Sequence, residues 1–106
     1  MNLIEPGYMR TDFLGPQSLG LPSATVDAYP AIREMTDAHL GMPGTQLGDP
    51  ARAAAALIAV ATGADAPLHQ LLGSDSLELA DARVKALTAD IEAARALAVS
   101  TDIPQQ

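Results

Sequence analysis

Only two stretches of this chain read as β-strands, and both stop abruptly. Residues 1–4, Met-Asn-Leu-Ile, read as the tail of a strand halted by Pro6-Gly7. Pro6 has no N–H with which to continue a ladder, and Gly7 can take φ > 0. Residues 68–72, Leu-His-Gln-Leu-Leu, form a short apolar run between Pro67 and Gly73, which predicts a second strand. Helices fill the space between and after them. In GDPARAAAALIAVATG, Asp49 suits an N-cap, Pro50 the first helical position and Gly63 the stop, so a helix is expected over 50–62. Pro30 and Gly41 bracket an earlier helix over Pro30–Leu40, with Ile32 and Met35 on one face. Ser74-Asp75-Ser76 opens a long final helix in which Asp75 and Glu78 stand at capping-box spacing. Its residues Leu77, Ala80, Val84, Leu87, Ile91, Ala94 and Ala98 fall on one apolar stripe.

Strand, helix, strand, helix is the order of an α/β fold whose strands run parallel through a right-handed crossover. Two parallel strands are too few to cover helices with such wide apolar surfaces, because parallel sheets are buried on both faces. The strand at residues 2–4 would also keep an open edge. The expectation is therefore an end piece of a larger α/β domain, or a chain whose sheet is completed by a partner.

Composition narrows the function. The 106 residues carry a net charge of −7, and the six basic residues (Arg10, Arg33, Arg52, Arg83, Lys85, Arg95) are scattered, which argues against nucleic acid or an anionic membrane as partner. With 48% hydrophobic residues but only Tyr8, Phe13 and Tyr29 as aromatics, the core must be aliphatic. The absence of cysteine excludes disulfides and thiolate metal sites. Residues 1–20 lack the pattern of a secretory signal, and the longest apolar run, Ala53–Ala61, is too short to span a bilayer. The expected location is cytoplasmic.

Three segments, EPGYMRTDF, GDPARAAAALIAV and the C-terminal PLHQLLGSDSLEL…STDI, resemble the last third of a short-chain dehydrogenase/reductase, of the kind with an E-P-G-x-x-R-T-D-F segment. The resemblance spans residues 1–103 in order. It implies the C-terminal part of a Rossmann-like doubly wound parallel sheet, organised as a strand and Pro-Gly turn (1–13), a substrate-loop region (14–47), a helix-strand-helix unit (48–99) and a frayed tail (100–106). It also implies NAD or NADP as cofactor, a small carbonyl or alcohol substrate, and association as a homo-oligomer or with a complementary fragment. Pro6 and Gly7 would shape the turn under the nicotinamide, Met9 would offer backbone atoms to its carboxamide, and the Thr11 hydroxyl would hydrogen-bond that carboxamide. A hydroxyl can donate or accept, so it can serve either end of an amide.

The departures from the family pattern are equally specific. No Gly-rich dinucleotide fingerprint and no Tyr-x-x-x-Lys occur here. The look-alike Tyr29-Pro-Ala-Ile-Arg33 follows the Pro-Gly turn instead of preceding it, and arginine does not replace lysine in that role. No catalytic residue is assigned, and the chain alone is expected not to turn over. The alternative reading is a non-catalytic truncated or split product that acts by association with a complementary or full-length subunit. Two histidines, His39 and His69, lie thirty residues apart without metal-ligand spacing and read as solvated or internally satisfied; no metal is expected. Met9, Met35 and Met42 read equally as pocket lining and as loop anchors. Arg10 and Asp12 are placed for a local ion pair.

Overall fold

The computed structural model describes residues 1–24 and 26–104. The elements are β1 (Leu3–Pro6), a single 3-10 turn (Asp12–Leu14), α1 (Pro30–Leu40), α2 (Pro50–Thr62), β2 (His69–Leu72) and α3 (Ser74–Val99). The protein is thus mixed α/β. Among the described residues its sheet has two strands, and β1 pairs with β2 in parallel, Leu3 opposite His69 and Pro6 opposite Leu72.

β1 extends further than the sequence pattern predicted, because Pro6 costs this ladder nothing. The Leu3 and Gly7 amides donate to Leu68 O (2.6 Å) and Leu72 O (2.8 Å) across the strand pair. Pro6 lies at the opposite parity, so its missing N–H falls on the far edge of β1. Asn2 clips the start of the sheet by donating from Nδ2 to Pro67 O at 2.9 Å. Beyond the turn, Met9 and Gly48 form an isolated parallel bridge, with Gly48 N–H on Tyr8 O (3.1 Å) and Arg10 N–H on Gly48 O (2.7 Å).

The helix ends are set by local chemistry. Asp49 Oδ1 accepts from the Ala51 and Arg52 amides at 2.8 and 3.3 Å, which satisfies two of the four free N–H groups of α2. The Gly63 amide closes that helix on Ala59 O. α3 departs from expectation at its start: no side chain caps it, and Gly73, at φ 108°, occupies the N-cap position. The predicted Asp75–Glu78 capping box does not form, because the Asp75 carboxylate is used elsewhere. At the other end the Ser100, Thr101 and Asp102 amides still bond back to Ala96, Ala98 and Val99 carbonyls, so the tail expected to fray begins as a hydrogen-bonded turn. Residues 105 and 106 of that tail lie outside the described residues.

Almost nothing in this arrangement is covered. Leu14 is the sole buried hydrophobic among the described residues. The stripe of α3 exists but faces solvent: Leu87 and Ile91 are 48% and 52% exposed, and every described side chain of the helix from Asp81 onward is exposed. The radius of gyration is 20.2 Å, against about 13 Å for a compact domain of this length. The accessible surface is 8673 Å², about 3,100 Å² more than the roughly 5,600 Å² of a compact protein of this mass. That excess is the size of an obligate interface, or of a domain core cut in half.

Candidate functional site

The turn after β1 is built by contacts that no local pattern announces. The Tyr8 amide donates to Asp75 Oδ2 at 2.7 Å, and Oδ1 of the same carboxylate accepts from the Ser76 amide at 2.9 Å. Ser76 Oγ donates to Glu5 O at 2.7 Å. The first turn of α3 is thereby tied to the last residues of β1 and to the turn. Gly7 does not take the left-handed conformation expected of it; among the described residues only Gly44 and Gly73 have positive φ. It is required for space, because a Cβ on Gly7 would land on the Asp75 carboxylate.

Past the turn, Thr11 starts the 3-10 turn. Its Oγ1 accepts from the Phe13 amide at 3.4 Å, a long contact that leaves the hydroxyl proton free to donate. Among the described residues no hydrogen bond reaches the Met9 N–H or carbonyl, since the bridge to Gly48 uses the Tyr8 carbonyl and the Arg10 amide. Gly7, Tyr8, Met9, Thr11, Phe13, Leu14 and His39 line a cavity of about 380 Å³. Three of the four residues expected to contact a cofactor, Gly7, Met9 and Thr11, thus meet at one cavity; Pro6 ends the strand behind it.

His39 reaches this cavity from the end of α1. Its Nδ1 stands 2.6 Å from Met35 O and its Nε2 2.7 Å from Tyr8 Oη, with the two rings edge to face at 5.4 Å. A carbonyl can only accept, so Nδ1 carries a proton, and in the neutral ring Nε2 accepts from the tyrosine hydroxyl. Neither Tyr8 nor Asp75 was marked by the sequence pattern as part of a site, because the contacts join residues 31 and 67 positions apart.

Other candidates go elsewhere. Arg10 donates from Nε to Gln46 O (2.9 Å) instead of pairing with Asp12. Arg33 of the rejected look-alike pairs with Asp27 at 2.6 Å. His69 contacts Glu5 Oε1 at 3.1 Å across the strand pair. Met35 and Met42 do not line the cavity beyond the turn. Among the described residues no three His, Cys, Asp or Glu side chains gather as a metal site, and no helix is long and apolar enough to cross a membrane. A larger cavity of about 740 Å³ opens beside the start of α2, lined by Arg10, Asp49, Arg52 and Leu72 among others. Its two arginines are already engaged, Arg52 by Asp49 at 3.6 Å and Arg10 by the Gln46 carbonyl. On α3, outside both cavities, hydrogen bonds from Arg95 hold the Glu92 carboxyl below its ordinary value, and Glu92 in turn raises Arg95.

The chain matches no known family model, and comparison with curated proteins and with solved structures returned no similar protein.

Proposed function

We propose that the chain is the C-terminal segment of a Rossmann-like, NAD(P)-dependent short-chain oxidoreductase, supplying the nicotinamide-side turn and the substrate loop and inactive by itself. One observation carries the reading. The turn at the carboxyl end of a parallel strand, where open α/β sheets take their ligands, brings Met9 and Thr11 to one cavity with hydrogen-bonding groups unspent. A carboxamide needs a donor for its oxygen and an acceptor for its N–H₂. Met9 N–H or the Thr11 hydroxyl fits the first, and Met9 C=O the second. The cofactor, when bound, would supply hydride transfer; this chain's residues would fix which ring face is presented. The acid/base and phosphate-binding groups would come from the segment that covers the open sheet and helix faces. The alternative, a non-catalytic product that associates with a complementary or full-length subunit, draws on the same uncovered surface.

The test mixes the full chain with the upstream part of a short-chain oxidoreductase that ends before its own Pro-Gly strand. A stable complex with enhanced NADH or NADPH fluorescence is expected, and Thr11→Val should weaken cofactor binding about tenfold, the value of one hydrogen bond. A complex that forms without binding cofactor leaves only the non-catalytic reading. Micromolar cofactor binding by the chain alone, as a compact monomer, would refute both.

A further inference from the structure

We infer that Tyr8 and His39 form a ligand-orienting pair that takes a small apolar alcohol in the cavity beyond the turn and discriminates it from the corresponding ketone. The proton positions follow from the partners. Met35 O accepts from His39 Nδ1 at 2.6 Å, so in the neutral ring Nε2 is a bare acceptor. Tyr8 Oη lies 2.7 Å from that acceptor, and its one proton is committed there. What the tyrosine offers the cavity is therefore lone pairs. At Tyr8 Oη a ligand hydroxyl can donate, whereas a ketone oxygen meets another acceptor; the donors at this cavity, Met9 N–H and the Thr11 hydroxyl, serve both ligands alike. The remaining lining is suited to an apolar body, with Met9, Phe13 and Leu14 around it.

The pair also ties the end of α1 to the turn. His39 lies in the last turn of α1, and its bond to Tyr8 is the side-chain link that joins the 14–47 region to the strand end at this cavity. A helix carbonyl fixes the histidine tautomer, the histidine fixes the tyrosine proton, and the tyrosine presents a defined acceptor. Each of these is a property of this chain's own residues, so the inference does not depend on a nicotinamide being bound.

The experiment uses the full chain without cofactor, under alkaline conditions that keep an imidazole neutral. Long-range ¹H–¹⁵N correlation spectra read the His39 tautomer, and cyclohexanol and cyclohexanone are titrated separately while the Tyr8, Phe13 and His39 ring signals are followed. The expected result is a proton on Nδ1 and binding of the alcohol about tenfold tighter than the ketone, the discrimination one hydrogen bond provides. Tyr8→Phe should abolish the preference. His39→Ala should free the Tyr8 proton to donate, so the ketone gains and the preference falls to parity or reverses. A proton on Nε2, equal binding of the two ligands, or a preference that survives Tyr8→Phe would overturn the inference. A chain that binds alcohol selectively but fails the cofactor test would separate this site from the oxidoreductase reading.

Discussion

The Asp75 carboxylate is the most informative place to perturb the turn. It accepts the Tyr8 amide at 2.7 Å from the other end of the chain, and a side chain on Gly7 would occupy the same space. A hydrogen bond to a charged acceptor contributes about 1.5–3 kcal/mol. Asp75 is only half-buried, which lowers the figure to about 1–2 kcal/mol. Asp75→Ala should then reduce the hydrogen-exchange protection of the Tyr8 amide by roughly 5- to 30-fold. The Gly63 amide, bonded within α2 to Ala59 O at 2.9 Å, should not change. Gly7→Ala should have a similar effect, because the new methyl displaces the carboxylate. Gly7 does not need the left-handed region, and in the Asp75→Ala background the three atoms nearest that methyl, all of the Asp75 carboxyl, are gone. There Gly7→Ala should cost no more than about 0.5 kcal/mol, the range of an ordinary surface change. The two substitutions must therefore be strongly non-additive, with a coupling near the full value of either one. Tyr8 protection within twofold of the wild type in Asp75→Ala, or simple additivity in the double variant, would refute the argument.

Two further outcomes follow from other helices. Asp49→Ala removes the acceptor for the Ala51 and Arg52 amides and should destabilise α2 by about 1 kcal/mol, seen as lost helical circular dichroism and faster exchange at those two positions. Glu92 is held below its ordinary value by Arg95, so the pair's contribution is present above the unfolded carboxylate value and is lost as pH falls through the lowered folded value. The C-terminal half of α3 should lose a little helicity over that acidic window, and Glu92→Gln should abolish the change; a response unaltered in that variant would assign it to other groups.

The elements governed by local chemistry were legible in the sequence. α1 and α2 lie at Pro30–Leu40 and Pro50–Thr62 because proline at the first position and glycine just past the end are strong local signals. The parallel pairing followed from the alternation of elements. The departures around the turn involve residues whose partners are distant in the chain. Asp75 carries the spacing of a capping box, yet a backbone amide 67 positions away outcompetes it. Gly7 was expected to serve a left-handed turn and instead makes room for that same carboxylate. His39 was read as solvated or satisfied, and it is satisfied, but by a tyrosine that no periodicity ties to it. Short-range patterns report dihedral preferences and cannot report which polar groups will be brought together across the sheet.

Pro6 links the uncovered surface to the site. Leu3 and Gly7 spend their amides on β2, so the amide of Ile4 lies on the other edge of β1, and at Pro6 that edge has no donor at all. A strand added there can be held at Ile4 through N–H and C=O, but at Pro6 only through the carbonyl. The missing ladder bond would weaken such pairing at the position where Gly7 admits the Asp75 carboxylate and the backbone turns toward Tyr8, Met9 and Thr11. The same proline that looks like a flaw in an edge strand thus weakens any added ladder at the end nearest the turn.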